Sequence, residues 1–280
     1  MNQNTNSNEL SKPTHYPNLS QSWELFAFLL LFSLCLEFLI SSLALVIPAK
    51  FKNWVTLFSY MASFTLLLYF VKKQLNMRLQ PFNIHYGKPP IKVLVYLLFI
   101  TPLCTIILEP LSEGIPEPKF MEEYLNNIVS INIPSFLTAV IAAPLLEEIL
   151  CRGVILEGLL KNRMNPTNAI ICSSLIFAVM HMNLTQGISA FTIGCLTGWT
   201  YYKTRSLWAS IFIHFVNNGL AFLLLAITNN PHLTTKELLG ENRYTSIYYI
   251  ALLVLSILLY CLYRYFRTEN VKLQNNGQIE

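Results

Sequence analysis

An all-α polytopic membrane protein with about eight spans is the fold class that this sequence predicts, on three observations. Only 12% of its residues are charged, 54% are hydrophobic, and the mean hydropathy is +0.46. A soluble domain usually carries about a quarter charged residues. Eight apolar runs approach the roughly 20 residues that one helix needs to cross a bilayer. The basic residues, finally, divide unevenly between the two sides that alternating spans create.

Taken in order, residues 1–20 are polar and rich in Asn, Ser and Thr, and predict a disordered tail. They lack the basic n-region, short apolar core and small-residue cleavage site of a secretory signal. The runs that follow are Trp23–Ile47, Trp54–Val71, Ile91–Leu108, Ser135–Leu160, Thr167–Met182, Gly187–Tyr202, Leu207–Thr228 and Ser246–Phe266. Trp23, Trp54, Trp208, Tyr201 and Tyr202 stand near their ends, as interfacial aromatic belts require. The fifth and sixth runs are short and carry polar residues, and Pro102 should kink the third. Between Glu109 and Pro134, Phe120, Tyr124, Ile128 and Ile131 recur at helical spacing opposite Glu122, Glu123 and Asn127. That pattern predicts a short helix on the outer interface. The chain therefore divides into a tail (1–20), three spans with an outer segment (21–134), a polar-bearing core (135–228), and a last span with its tail (229–280).

With the N-terminus inside, the inner segments hold thirteen basic residues, from Lys12 through Lys72, Lys73, Arg78, Lys161 and Arg205 to Lys272. The outer segments hold five: Lys50, Lys52, Lys119, Lys236 and Arg243. Eight spans with both termini inside satisfy the positive-inside rule throughout.

Composition also excludes chemistry. All fifteen acidic residues are Glu, so any mechanism built on an aspartate pair is ruled out. The net charge of +4 is modest and points to no nucleic-acid partner. Six cysteines fall within apolar runs without a CxxC, which supports neither a disulfide framework nor a thiolate metal site. Cys151, although inside a charged stretch, reads as one more buried thiol.

That stretch is Pro144-Leu-Leu-Glu-Glu-Ile-Leu-Cys-Arg-Gly153, which sets Glu147, Glu148 and Arg152 inside the fourth span. Ionisable groups at bilayer depth are expensive and mark functional sites. Glu148 and Arg152 are four residues apart and face each other on one side of a helix. Glu147 lies about 100° around from Glu148. Arg152 would thus neutralise Glu148 and leave Glu147 to accept a proton or bind a metal; the bland alternative is an ion-paired triad that locks helices together. Glu157 pairs instead with Lys161 near the inner surface and reads as structural. Glu37, an intramembrane carboxylate in the first span, has no evident partner.

Two further spans carry paired polar groups. Phe177 and His181 share a face of the fifth, and His214 and Asn218 share a face of the seventh. Two intramembrane histidines beside an unpaired carboxylate point to a site more strongly than to isolated interhelical hydrogen bonds. Counting about 1.5 Å per residue, Glu147 and His181 both lie roughly 21 Å from the inner turn, and His214 about 10 Å shallower.

A glutamate with two histidines can activate water. In one assignment Glu147 and His181 generate the nucleophile, while His214 and the Asn218 carboxamide hold an oxyanion. In the other, Glu147, His181 and His214 bind zinc, which lowers the pKa of its water towards about 7.

Glu147-Glu-Ile-Leu-Cys-Arg152 resembles the EExxxR motif of the CAAX-processing and bacteriocin-processing (CPBP) family. Phe177-Ala-Val-Met-His181 resembles its FxxxH motif, and His214-Phe-Val-Asn-Asn218 its HxxxN motif. All three stand in the family's order on separate spans, and the resemblance covers residues 135–228. It implies an eight-helix intramembrane endopeptidase similar to the type II CAAX prenyl endopeptidases, acting on a membrane-held or lipidated peptide. By that resemblance Glu147 and His181 are the water-activating pair and His214 and Asn218 the second cluster. Glu148, Arg152 and Phe177 are supporting members. The family is usually labelled metalloprotease, and a metal-free glutamate mechanism has also been proposed for it.

Rival chemistries fit poorly. There is no HExxH, and Gly187-Ile-Ser189-Ala190 lacks the second glycine of a rhomboid-type GxSG. The non-enzymatic alternative is an immunity scaffold or transporter that uses the same polar cluster for binding. The Asn- and Lys-rich, Asp-free composition points to a bacterial plasma membrane, where an unmodified hydrophobic peptide is the better-fitting substrate.

Overall fold

A computed structural model describes residues 15–43, 47–113, 115, 131–230 and 233–275. Among these, every predicted span is a helix: α1 (Leu19–Leu43), α2 (Lys52–Met77), α3 (Ile91–Glu113), α4 (133–161), α5 (Pro166–Met180), α6 (Leu184–Thr204), α7 (Leu207–Thr228), the short α8 (Thr235–Leu239) and α9 (Glu241–Asn275). The fold is all-α, and five helices, α1, α2, α3, α7 and α9, are long and apolar enough to cross a membrane alone. α5 is apolar but has only 15 residues, and α6 is the more polar member of the central pair. The chain is thus an integral membrane protein. The expected outer interfacial helix at Phe120, Tyr124 and Ile128 falls outside the described residues.

The helices that bear the polar groups begin at side-chain caps. Asn132, Asn165, Asn183 and Ser206 each accept a hydrogen bond from the first turn of α4, α5, α6 and α7, respectively. Arg205 and Asn229 end α6 and α7 in the left-handed conformation.

α4 corrects the expectation of one regular helix. It alternates α and π turns, with π segments at Leu137–Ala142 and Ile149–Leu156. The Ala143 N–H bonds the Thr138 carbonyl and the Glu157 N–H that of Arg152, both five residues back. In the same register Pro144 would bond Ala139, but proline has no N–H to give. The Ala139 carbonyl therefore lacks that backbone donor. π turns also fit more residues into a given length, so Glu147 sits nearer the α4–α5 turn than an α-helical count gives.

Two apolar cores flank α4. The first joins Leu25 and Leu29 of α1, Leu67 and Val71 of α2, Leu150 to Leu159 of α4, and Ile170 and Ile176 of α5. The second joins Val93 to Cys104 of α3, Ile193 of α6, Ile213 of α7, and Leu255 to Phe266 of α9. Trp199 of α6 touches both. Between them a third cluster of Cys151, Phe177, Ala178 and Ala190 underlies the polar residues of α4, α5 and α7.

At the end of the bundle where α2 passes to α3 and α6 to α7, the connections are pinned. The His85 carbonyl accepts the Leu207 N–H at 2.9 Å, and the Ser206 hydroxyl donates to the Gly87 carbonyl. A Cβ at Gly87 would stand 2.8 Å from the Arg205 carbonyl oxygen, so the two turns meet only because this residue is glycine. Glu157, expected to pair with Lys161, is a hub for more. It accepts from Tyr201 Oη at 3.1 Å and Arg205 Nη2 at 2.9 Å, with Lys161 Nζ and His85 Nε2 each at 3.5 Å.

Candidate active site

Glu148 and Arg152, both fully buried, form the predicted pair on α4 with Nη1 donating to Oε1 at 3.0 Å. The guanidinium also donates through Nη2 to the Gly194 carbonyl of α6 at 2.8 Å and stacks over the Phe177 ring at 4.8 Å. Such planar, multi-donor recognition is what arginine supplies and lysine cannot. Gly194 is the third requirement. A Cβ there would meet Ser174 Cβ at 3.0 Å, and Arg152 Nη2 and Phe177 Cδ1 at 3.2 Å each.

Phe177 is central to the cluster. Its ring meets His181 edge-on at 5.0 Å and His214 edge-on at 5.3 Å, so one ring touches both imidazoles.

His214, almost fully buried, connects the two carboxylates. Its Nδ1 lies 3.1 Å from Glu148 Oε1 and its Nε2 lies 3.8 Å from Glu147 Oε2. With Nδ1–H donating to Glu148, a neutral ring presents the Nε2 lone pair to Glu147. Glu147 Oε1 accepts from Tyr60 Oη of α2 at 2.6 Å, and its buried Oε2 has no hydrogen-bond partner. Two acceptors thus face each other across a gap that suits one shared donor, such as a water.

His181 was expected beside Glu147. Its Nδ1 bonds the Phe177 carbonyl at 2.9 Å, and it makes no ion pair with Glu147 among the described residues. Nor do three His, Cys or Glu side chains among these residues converge where one metal ion could sit. Glu147 and His214 fit as two donors; His181 would have to turn towards them to complete a set of three.

Asn218 satisfies the carbonyl that Pro144 frees, donating from Nδ2 to Ala139 at 2.8 Å. Its Oδ1 accepts from Asn217 Nδ2 at 3.1 Å, and Thr105 Oγ1 of α3 lies 3.3 Å from Asn217 Oδ1. The second N–H of the Asn218 amide is not used in these contacts. A cavity of about 370 Å³ opens here, walled by Phe177, His181, Thr185, Gln186, Ser189, Ala190, Ile193, His214, Asn217, Asn218 and Ala221. His214 is the residue that this wall shares with the Glu147 cluster.

Tyr60, Thr105, Gly194 and Asn217 were not among the residues singled out from the sequence. Pro144 inside an apolar run was a usable signal for a freed carbonyl. Tyr60 left none, because one tyrosine in a span reads as packing.

Fold and site together define a polytopic membrane protein with a buried Glu–Arg–His cluster at the edge of a polar cavity. Residues 129–220 match the family described as type II CAAX prenyl endopeptidase Rce1-like. It is 31% identical over 84 residues to "Putative membrane peptidase YdiL" of Bacillus subtilis (strain 168), a match covering 30% of this chain and 34% of that protein. The chain thus matches about a third of the length of this curated relative. No solved structure gives a significant match.

Proposed function

We propose that this protein is an intramembrane endopeptidase that hydrolyses a peptide bond in a membrane-held substrate with a glutamate-activated water. The observation that carries this is the buried, unpartnered Glu147 Oε2 facing His214 Nε2 at 3.8 Å. A water bridging them gives one proton to Glu147 as its oxygen attacks the carbonyl carbon. The oxyanion is held by a donor on the cavity wall, the free N–H of the Asn218 amide. Glu147 then returns the proton to the leaving nitrogen as the C–N bond breaks. Glu148 and Arg152 keep His214 in the tautomer that this requires.

A zinc-assisted reading with Glu147, His181 and His214 as ligands is the second proposal. It draws on the Glu148 contact at His214 Nδ1, since a carboxylate on the remote nitrogen is how metal-ligating histidines are commonly oriented. The substrate class is a hydrophobic or lipidated peptide, and the setting a bacterial plasma membrane with both termini cytoplasmic. A non-enzymatic immunity scaffold built on the same cluster would not need Glu147 as a carboxylate.

The test uses proteoliposomes and a panel of membrane-anchored, quenched-fluorescent peptides with and without a farnesylated cysteine. Wild type should cleave, with one oxygen of H2-18O entering the new carboxyl terminus, and Glu147→Gln should lose at least about a hundredfold in rate. Cleavage by Glu147→Gln at the wild-type rate would sink the reading.

A further inference from the structure

We propose that Tyr60 of α2 is a positioning residue of the site, selecting which oxygen of Glu147 acts as the base; this rests on the endopeptidase reading above. Tyr60 lies far upstream of the matched segment 129–220 and in none of the three motifs. Its hydroxyl donates to Glu147 Oε1 at 2.6 Å, the shortest side-chain bond in the cluster. A short O–H···O⁻ bond is charge-assisted and strong. The ring is held in turn by Phe64, itself buried, at 5.0 Å.

The consequence is an asymmetry within one carboxylate. Oε1 is occupied from α2, whereas Oε2 is buried, has no hydrogen bond and faces His214 Nε2. Without Tyr60 the carboxylate is free to rotate and present either oxygen, or to turn away from His214. With it, the water proton can arrive only on Oε2. The Tyr60 bond survives that step, because Oε1 remains an acceptor when Oε2 carries the proton. The proton is therefore kept on the side from which it leaves for the amine. Holding reacting groups in one orientation is a kinetic contribution, and misplacement by about an ångström can cost on the order of a hundredfold.

Tyr60→Phe keeps the ring and its Phe64 contact and deletes only the hydroxyl. In the peptide assay it should lower kcat about ten- to a hundredfold with KM within about twofold. Tyr69→Phe, on the same helix but largely exposed, should leave both unchanged. Adding Tyr60→Phe to Glu147→Gln should cause no further loss, since the two residues act as one unit.

A second measurement needs no substrate. In infrared difference spectra of the purified protein, the carboxylate stretch that disappears in Glu147→Gln should shift in Tyr60→Phe. A band that stays put, or a Tyr60→Phe protein with wild-type kcat beside an inactive Glu147→Gln, overturns the Tyr60 role alone. An active Glu147→Gln instead overturns the endopeptidase reading and this inference with it.

Discussion

One oxygen of Glu148 accepts from both Arg152 and His214, at 3.0 and 3.1 Å, inside a helix bundle where neither Glu148 nor Arg152 has any exposed surface. A charge pair so placed gains its value from orientation, because removing two charges from water offsets much of their attraction. Here the product of that orientation is a fixed His214 ring with one nitrogen turned to Glu147.

Loss of one partner should therefore be severe. Arg152→Ala leaves Glu148 uncompensated and is expected to cost about 3–5 kcal/mol of stability. Arg152→Lys should recover little, because an ammonium cannot at once reach Glu148, reach the Gly194 carbonyl and stack on Phe177. Thermal unfolding in detergent, alongside the yield of monodisperse protein, checks both.

Gly194→Ala should act on the same bonds from the other side. Its methyl would stand 3.0–3.2 Å from Ser174, Arg152 and Phe177, and overpacking of this kind costs about 1–3 kcal/mol. Gly187→Ala, whose methyl would meet only the Ala178 carbonyl at 3.5 Å, is the matched control and should be tolerated. Equal melting temperatures for the two variants would contradict the tight approach of α6.

Asn218→Ala should separate catalysis from folding less cleanly than a surface change would, since it removes both an N–H facing the cavity and the bond to Ala139. The expected result is a fall of about 10²–10³ in kcat with a moderate loss of stability. Asn217→Ala, which removes only a neighbour of the amide, should cost less in both. Steady-state kinetics beside melting curves would show whether the order is right.

Glu157 provides the opposite case, a buried carboxylate bound by Arg205, Tyr201, Lys161 and His85 at the end of the bundle where α4 turns into α5. Glu157→Gln should lower stability by about 1–3 kcal/mol and leave kcat unchanged. A large kcat loss in a well-folded Glu157→Gln protein would mean that this hub and the site are coupled.

The metal reading is settled by composition rather than rate. If zinc is a resident ligand, elemental analysis should find about one equivalent that is lost in both Glu147→Ala and His214→Ala. Metal-free protein that cleaves in the presence of chelator, with Glu147→Gln inactive, would leave the glutamate-activated water standing.

Much of this was legible in the residues themselves. Hydropathy alone marked the eight long helices among the described residues, because a bilayer forces every spanning backbone into the same hydrogen-bonded form. The pairing of Glu148 with Arg152 followed from a four-residue spacing, and Phe177 with His181 from another, since side chains three or four apart share a helix face whatever surrounds them. What lay beyond the sequence was every relation between helices. Local spacing carries no information on which face of α2 meets α4, so Tyr60 was indistinguishable from packing. It could not show that Phe177 would touch both His181 and His214, or that Glu147 would face His214. The π turns of α4 belong to the same class. They are stabilised by Asn218 and Ser173 reaching the Ala139 and Cys151 carbonyls from neighbouring helices, partners that exist only once the bundle has closed.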